Sequence, residues 1–180
     1  MASRAPDERK AALRAGAKGA RGRDRSDAAR SALERLISLP ELARARTAAF
    51  YVAIGDEVPV EEAARRCRAG GARAVYPIVV GPDLELAPDT TAAERVRAEE
   101  VDVFVVPGVL FDRAGRRLGR GGGHYDRLLA RRRSDATLVG ICYADRVIDE
   151  LPEEPWDVPM HAVVTDLFVL RFARASESVR

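Results

Sequence analysis

The sequence predicts an α/β protein with a mostly parallel sheet that helices cover on both faces. Short apolar runs, typical of buried strands, alternate along the chain with segments of helical periodicity. The chain has 180 residues, of which 47% are hydrophobic, so it can bury one core without disulfides or a structural metal. We therefore expect a single domain over residues 1–180, with residues 1–6 and 175–180 disordered.

The first half of the chain is predicted to form helices followed by a β-α-β unit. An Ala/Arg-rich start is compatible with a helix, and Ser26 can cap a second helix that ends at Pro40. The apolar run 47–54 predicts a strand, the segment 59–70 predicts a helix that opens at a proline and ends at a glycine, and ARAVYP (72–77) predicts the next strand. This order favours parallel strand pairing.

The second half repeats the alternation. VDVFVVPG (101–108) predicts a strand, a helix is expected from about 125 to 133, and TLVGICY (137–143) predicts another strand. HAVVTDLFVLRF (161–172) predicts a closing strand or a pair of strands. The repeated order supports a sheet covered on both faces.

Composition excludes several classes of function. The formal net charge is only +2, from 30 basic and 28 acidic residues, so the chain as a whole lacks the field that phosphate-based nucleic-acid binding requires. Cys67 and Cys142 lie in different predicted elements, which argues against a zinc cluster or a disulfide framework and favours a reducing, cytoplasmic compartment. No apolar run approaches the roughly 20 residues of a membrane helix. We expect neither a nucleic-acid partner nor a membrane.

The stretch RRLGRGGGHYDRLLARRR (116–133) is the most informative. It follows the strand 101–108 at its carboxyl end, where open α/β sheets bind ligands, and it leads into a helix. Glycines let the backbone approach a phosphate chain, and a helix N-terminus beside Arg116, Arg117 and Arg120 favours anions. The P-loop pattern fails because no lysine follows the glycines, and the dinucleotide pattern fails at His124. A flexible surface turn with solvated arginines is the alternative.

A wider resemblance supports the interpretation that the stretch 116–133 binds phosphate. The segment VPGVLFDRAGRRLGRGGGHYDRLLA (106–130) resembles the signature of the 5-formyltetrahydrofolate cyclo-ligase family, also called methenyltetrahydrofolate synthetases, which reads approximately PGxxFDxxGxRLGxGxGYYDRxL. KAALR (10–14) resembles the family's K-x-x-L-R, FYVAIGDEV (50–58) its first strand and acidic turn, and WDVPMHAVVTD (156–166) its closing HDxxxDxVxT. The resemblance implies a three-layer cyclo-ligase-like fold, related to the NagB/RpiA/CoA-transferase-like scaffold.

The resemblance also implies an activity. The family converts 5-formyltetrahydrofolate to 5,10-methenyltetrahydrofolate in one-carbon metabolism, with ATP and Mg²⁺ as cofactors and with release of ADP and phosphate. The formyl oxygen is phosphorylated, the neighbouring nitrogen attacks, and phosphate leaves. The protein must neutralise triphosphate charge and hold the formyl oxygen in line with the γ-phosphorus. The resemblance implies a ligase whose partner is a small-molecule substrate, a reduced folate, and we expect a monomer.

The resemblance assigns roles to particular residues. Arg120 and Lys10 are expected to be catalytic, and Asp126 and Asp157 to bind magnesium. The residues expected to bind ATP are Lys10, Arg14, Arg117, Leu118, Gly119, Arg120, Gly121, Gly122, Gly123, His124 and Tyr125. The residues expected to bind the substrate are Val52, Glu57, Arg120, Gly121, Gly122, Gly123 and His124. Among them, Glu57 would accept hydrogen bonds from the pterin's amide and amino edge, and Val52 would form an apolar wall.

Without the resemblance, each of these residues has an ordinary structural interpretation. Lys10 and Arg14 lie four residues apart and read as a solvated basic face of a helix. Asp126 reads as an acidic residue that favours the helix dipole, and Asp157 as a turn residue. Val52 reads as part of the core.

Three departures from the family pattern concern the folate side. The segment between Pro77 and Val101 is short and lacks the family's G-I-x-E-P element, Trp156 replaces a usual histidine, and His161 replaces a usual aspartate. A paralogue that keeps the ATP site but acts on another small metabolite, for example in thiamine metabolism, therefore stays an alternative. A non-enzymatic nucleotide- or phosphosugar-sensing module is a further alternative. The joint presence of Lys10, Arg14, Asp126 and Asp157 argues against it, because a sensor needs affinity without all the residues for metal binding and phosphoryl transfer.

Overall fold

The computed structural model describes residues 6–17, 24–89, 91 and 93–173, to which every structural statement below refers. The termini for which disorder is expected lie almost wholly outside the described residues. Pro6 is the exception, because it is the first residue of a helix.

Helices and strands alternate in the predicted order. The described helices are α1 (Pro6–Ala17), α2 (Ser26–Ile37), α3 (Pro40–Ala43), α4 (Glu61–Ala69) and α5 (His124–Ala130), with 3-10 turns at Ala98–Glu100 and Ala144–Arg146. The described strands are β1 (Thr47–Ala49), β2 (Arg73–Val80), β3 (Asp83–Ala87), β4 (Val103–Pro107), β5 (Leu110–Asp112), β6 (Arg117–Leu118), β7 (Thr137–Ile141), β8 (Val147–Ile148), β9 (Ala162–Val164) and β10 (Val169–Arg171).

The main sheet has seven strands in the order β10-β9-β7-β4-β1-β2-β3. The five inner strands pair in parallel with one another, and an antiparallel strand closes each edge, β10 on β9 and β3 on β2. The prediction of a mostly parallel sheet is confirmed. Because the inner strands are parallel, their carboxyl ends meet at one edge, where ligands bind in folds of this type.

Helices cover both faces of this sheet, as predicted. Because strand side chains alternate between faces, Val105 of β4 packs on one side with Leu36 of α2 and Ala63 of α4. Its neighbour Phe104 packs on the other side with Leu128 of α5. Both clusters share the same sheet, which supports the prediction of one domain. None of the helices in the described ranges has the length and apolar character that crossing a bilayer requires.

A three-stranded sheet, in the order β6-β5-β8, holds the start of the glycine loop against the main sheet. Its central residue Phe111 is fully buried, and its ring lies close to two glycines. A Cβ at Gly140 would lie 2.4 Å from the Phe111 ring, and one at Gly108 would lie 2.6 Å from it. Neither position accepts a side chain, so these glycines fix how closely the β5–β6 hairpin approaches the main sheet.

Several boundaries differ from those predicted. The regular part of the first strand ends at Ala49 and not at residue 54, because the chain leaves the sheet there, and Tyr51 Oη donates a hydrogen bond to the Val58 carbonyl at 2.5 Å. Helix α5 ends at Ala130 instead of residue 133. The cap predicted at Ser26 is wrong: Ser26 is inside the first turn, and its N–H and hydroxyl both donate to Asp24.

The short segment after Pro77 forms an unpredicted hairpin. Strand β2 continues to Val80, turns at Gly81 with a φ of +58°, and returns as β3. Arg127 of α5 ties this turn to the glycine loop, since its Nε donates to Asp83 at 2.8 Å and its Nη1 to the Gly122 carbonyl at 3.1 Å. The hairpin therefore becomes one wall of the site.

Candidate active site

A cavity of about 430 Å³ opens at the carboxyl ends of β1 and β4. Its walls come from α1, the segment after β1, the β2–β3 hairpin, the glycine loop with the start of α5, and the turn at 154–157. The volume lies within the range of about 300–1,000 Å³ that is typical of small-molecule sites. This is the edge of the sheet where the sequence predicts a ligand.

Nearly all of the residues predicted to bind or catalyse line this cavity. Those residues are Lys10, Arg14, Val52, Glu57, Arg117, Gly119, Arg120, Gly121, Gly122, Gly123, His124, Tyr125, Asp126 and Asp157. Leu118 does not line it. Because neighbouring residues of a strand face opposite sides, Arg117 faces the cavity while Leu118 is buried against Leu110 and Leu151.

Lys10 of α1 is held by two carboxylates from the far end of the chain. Its Nζ donates to Glu154 Oε2 at 2.5 Å and to Asp157 Oδ2 at 2.8 Å, and the residue is 5% exposed. Burial disfavours the charge on Lys10, but the hydrogen bonds to Asp157 and Glu154 outweigh it, so the pKa of Lys10 is raised. Lys10 is therefore a fixed cation at the cavity wall.

Arg14 lies one helical turn further along α1 and contacts the glycine loop. Its Nε donates to the Gly119 carbonyl at 2.9 Å. At Gly121, φ is +107°, and a Cβ there would lie 3.5 Å from the Arg14 guanidinium carbon. At Gly123, φ is +63°, so the loop has a backbone that side chains with a Cβ rarely adopt. Arg14 and these glycines together define the shape of the loop.

Arg117 is a buried cation at the base of the loop. Its side chain is 4% exposed and its Nη2 donates to Asp126 Oδ1 at 2.8 Å, while the guanidinium lies 5.5 Å from the centroid of the Tyr125 ring. Its Nε is buried with no hydrogen-bond partner among the described residues. A buried donor without an acceptor is costly, and a water molecule or an anionic ligand beside it would complete this group. Burial raises the pKa of Tyr125, so its hydroxyl stays neutral.

Arg120 and Glu57 meet on the other side of the loop. Arg120 Nη2 donates to Glu57 Oε1 at 2.8 Å and to the Ile54 carbonyl at 2.9 Å. The second oxygen of Glu57 accepts the Ile54 N–H at 3.0 Å, and the Glu57 side chain is only 13% exposed. The carboxylate is therefore held in place by the chain that follows β1, with its remaining acceptor sites available to a ligand.

The mouth of the cavity is apolar. Val52 is 51% exposed, Ile54 60%, Val79 69% and Trp156 64%, and all four line the cavity. Val52 is therefore not a core residue, which agrees with the predicted wall. Val79, from the β2–β3 hairpin, lies on the side of the cavity where this sequence lacks the family's G-I-x-E-P element.

Glu154 and the hairpin residues Val79 and Leu84 also line the cavity but were not predicted. A signal for Glu154 existed, because it precedes Asp157 by three residues and can share a cation with it. His161, one of the departures from the family pattern, lies elsewhere: its Nδ1 accepts the Leu138 N–H at 2.9 Å. It therefore supports the sheet and does not line the cavity.

The carboxylates suit a metal that is shared with a ligand. Among the described residues, no group of three or more His, Cys, Asp or Glu side chains forms a metal cage. Asp126 and Asp157 nevertheless line the same cavity and carry hard oxygen donors. Magnesium commonly takes one or two carboxylates and completes its shell with phosphate oxygens and water, so the donor set fits it.

Comparison with known proteins identifies relatives of this chain. A model of the 5-formyltetrahydrofolate cyclo-ligase family matches residues 80–166. The chain is 46% identical over 66 residues to the cyclo-ligase of Mycolicibacterium smegmatis, a match that covers 37% of this chain and 34% of that protein. It is 32% identical over 122 residues to the cyclo-ligase of Mycoplasma pneumoniae, covering 67% of this chain and 73% of that protein.

A solved structure is similar over almost the whole chain. The 5,10-methenyltetrahydrofolate synthetase of Aquifex aeolicus superposes with a TM-score of 0.78 at 29% identity, covering 97% of this chain and 96% of that one. The resemblance, the fold class and the enzyme class predicted from the sequence are thereby confirmed. The chain belongs to the 5-formyltetrahydrofolate cyclo-ligase family, a family of ligase enzymes.

Proposed function

We propose that this chain converts 5-formyltetrahydrofolate to 5,10-methenyltetrahydrofolate, using ATP and magnesium and releasing ADP and phosphate. The observation that carries the proposal is a single cavity that combines fixed cations, a held carboxylate and an apolar mouth. Cations suit a triphosphate, a carboxylate suits the N–H edge of a pterin, and apolar side chains suit flat rings. The names of the relatives support the same reaction.

The triphosphate would lie along the glycine loop between Lys10, Arg14 and Arg120. Glycine without a Cβ leaves the loop's N–H groups open to phosphate oxygens. The buried Arg117 gives further positive charge at the base of the loop, and its unpartnered Nε supports an anion close by. Lys10, Arg14 and Arg117 are held before the ligand arrives, so these three need little reorganisation when charge develops.

Asp126 and Asp157 would hold the magnesium ion. When bound, the ion would neutralise phosphate charge. Asp126 is oriented by Arg117 at 2.8 Å and Asp157 by Lys10 at 2.8 Å. Each carboxylate keeps an oxygen that these two contacts do not use.

The folate would bind with its pterin edge on Glu57 and its rings against the apolar mouth. Glu57 already accepts hydrogen bonds from the Ile54 N–H and the Arg120 guanidinium, which hold it in place. Two N–H donors of the pterin would compete with Arg120 for this carboxylate. A released Arg120 can turn to the transferred phosphoryl group, where its charge stabilises the transition state.

The chemistry then balances in two steps. The formyl oxygen bonds to the γ-phosphorus as the bond to the leaving ADP oxygen breaks. The neighbouring amine nitrogen bonds to the formyl carbon and gives up its proton, the C–O bond breaks, and phosphate leaves with the former formyl oxygen. The chain's part is to align these atoms and to exclude water, because free water would capture the phosphoryl group.

The alternative of a paralogue depends on the missing G-I-x-E-P element. The β2–β3 hairpin supplies Val79 and Leu84 to the cavity on this side, so a wall is present there. The alternative of a sensor is disfavoured because Lys10, Arg120 and Asp126 meet in one cavity, which affinity alone does not require. We further propose that the enzyme is monomeric. We also propose that it works in a reducing, cytoplasmic compartment, since Cys67 and Cys142 are free thiols.

A turnover assay tests the proposal. Purified protein is mixed with 5-formyltetrahydrofolate, ATP and magnesium, and the absorbance of the methenyl product is followed, with ATP omitted or magnesium chelated in the controls. We expect product only in the complete mixture. Absence of product from folded protein that still binds ATP in calorimetry would overturn the proposed substrate and favour the paralogue.

A further inference from the structure

Trp156 is the single tryptophan of the chain, and its position is unusual. Tryptophan is highly buried on average, because exposing its large ring to water is unfavourable. Here the residue is 64% exposed and lines the mouth of the cavity. It does not belong to any of the buried clusters that form the core. Core packing therefore does not account for this side chain.

The turn that carries Trp156 is fixed on both sides. Glu154 and Asp157, which flank it, both accept hydrogen bonds from Lys10 of α1, at 2.5 and 2.8 Å. The turn is also closed on itself, since the Glu154 N–H donates to Asp157 Oδ2 at 2.9 Å and the Asp157 N–H to the Glu154 carbonyl at 3.0 Å. Pro155 restricts the backbone directly before the ring. The indole is thus presented on a rigid support, which lowers the entropic cost of a contact.

The surroundings of Trp156 suit a flat ring that is joined to a charged group. Val52, Ile54 and Val79 are the other exposed apolar side chains at the mouth, whereas the cations Lys10 and Arg14 line the same cavity from α1. Exposed apolar side chains gathered at one opening commonly mark a binding surface. A ligand with an aromatic ring and a phosphate or carboxylate tail would match both features.

We infer that Trp156 stacks on a planar heteroaromatic ring of a bound reactant and forms a ring-binding wall beside Lys10. The inference deepens the proposed function and rests on it, because both reactants proposed there carry such a ring. The ring is the adenine of ATP or a ring of the folate, and the experiment below separates these two sources. Stacking on an aromatic side chain typically changes affinity by about five- to 150-fold when the side chain is cut back to alanine.

The family pattern usually has histidine at this position, so the inference concerns this chain in particular. Histidine offers a smaller ring that titrates near neutral pH, whereas indole offers a larger face without a charge. Trp156→Phe keeps an apolar aromatic face, and Trp156→His restores the residue of the pattern. We expect the binding lost in Trp156→Ala to be recovered mostly in Trp156→Phe and partly in Trp156→His.

Intrinsic fluorescence tests the contact directly, because light that excites tryptophan but not the four tyrosines gives a signal from Trp156 alone. Wild-type protein is titrated separately with ATP, with inorganic triphosphate and with 5-formyltetrahydrofolate, and the folate data are corrected for its own absorbance. A change with ATP but not with triphosphate identifies adenine as the stacked ring. A change with the folate alone identifies the folate ring. Equal changes with triphosphate and ATP, without a folate response, or no change with any of the three, would overturn the inference.

Steady-state kinetics supply an independent readout. Trp156→Ala is expected to raise KM for the reactant whose ring it holds by about tenfold, with a smaller effect on kcat. Leu167→Ala is the matched control, because Leu167 is 68% exposed and does not line the cavity. Unchanged KM values for both reactants in a Trp156→Ala protein that melts like the wild type would contradict the inference. Wild-type protein without turnover but with a fluorescence response would overturn the proposed function and leave the ring-binding wall standing.

Discussion

Arg120 donates to Glu57 across 2.8 Å, so the residue expected to act on the phosphoryl group is paired with the residue expected to hold the pterin. The resemblance to the family assigns Arg120 to both ATP and the folate and Glu57 to the folate alone, and the structure joins the two side chains. Because one carboxylate cannot serve both partners fully, a pterin on Glu57 would release Arg120. Thermodynamic linkage then requires that each substrate strengthens the binding of the other. Titration calorimetry should show tighter ATP binding when the folate is present, and independent affinities would contradict this coupling.

Replacing Glu57 should affect the two substrates unequally. Glu57→Gln keeps the size of the side chain but loses the charged acceptor, so KM for 5-formyltetrahydrofolate should rise by about tenfold or more. KM for ATP should change much less. Glu61→Gln is the matched control, since Glu61 lies outside the cavity at the start of α4. An equal loss for both substrates in steady-state kinetics would argue against a pterin-edge role.

Removing Arg120 should lower the rate more than the affinity. If its charge acts on the transferred phosphoryl group, Arg120→Ala should lower kcat by about a hundredfold, with a smaller rise in KM for ATP. Arg113→Ala provides the control, because Arg113 is exposed on a side of the molecule that does not line the cavity and pairs with Asp149. A variant with unchanged kcat and a raised KM would reduce Arg120 to a contact with the bound substrate.

Asp126→Asn should weaken magnesium dependence and stability together. The amide is a poorer ligand for a hard cation, so half-maximal turnover should need about tenfold more magnesium. Arg117, 4% exposed, would lose its charged partner, which should cost about 1–3 kcal/mol in the free energy of unfolding. Magnesium titrations and thermal melts measure the two effects, with the exposed Asp149→Asn as the control. A wild-type magnesium profile in the variant would remove Asp126 from the metal site.

The glycine loop can be tested by comparing two strained positions. Gly123 has a φ of +63° and lines the cavity, whereas Gly71 has a φ of +87° and lies outside it, with nothing within 4 Å of an added Cβ. Gly71→Ala should destabilise the fold by about 1 kcal/mol because its backbone is left-handed. Gly123→Ala should destabilise it by at least as much, since its added Cβ would also lie 2.9 Å from Arg127 Nη1. Only Gly123→Ala should also lower kcat/KM for ATP. Equal kinetic effects in the two variants would show that the loop's shape does not matter for the nucleotide.

Lys10 makes a prediction for alkaline pH. Its pKa is raised above the usual 10.5, so the stability it contributes is fully present below the unfolded pKa and is lost as pH rises through the folded value. The difference in unfolding free energy between wild type and Lys10→Met should therefore stay level from about pH 7 to about pH 10 and shrink above that. Denaturant unfolding at a series of pH values measures it. If this free-energy difference already shrinks between about pH 7 and about pH 9, the pKa of Lys10 is not raised.

Local patterns in the sequence predicted much of this fold, and long-range contacts account for what they missed. The strand at 101–108 and the helix expected from about residue 125 carry their own periodicity and glycine signals, so they were recognisable. The hairpin turn at Gly81 depends on pairing with β2 and was not. The burial of Leu118 follows from which side of the small sheet faces the core, which the motif alone does not specify.

In the candidate site too, local sequence patterns indicated some residues, whereas contacts between distant parts of the chain were not predicted. Lys10 and Arg14 were recognisable through their helical spacing and the resemblance, but their partners were not. Glu154 lies 144 residues from Lys10 in sequence, and no local pattern indicates that contact. The exposure of Trp156 is likewise a property of the folded cavity, since a lone tryptophan in sequence is read more readily as core.

The most direct measurement follows the oxygen of the formyl group. The account requires this oxygen to attack the γ-phosphorus and to leave with the phosphate when the ring closes. 5-Formyltetrahydrofolate labelled with heavy oxygen in the formyl group is converted in a single turnover with ATP and magnesium, and the released phosphate is analysed by mass spectrometry. We predict one labelled oxygen in each phosphate. Unlabelled phosphate, with the label recovered in water, would show that ATP hydrolysis and ring closure are not joined through the formyl oxygen.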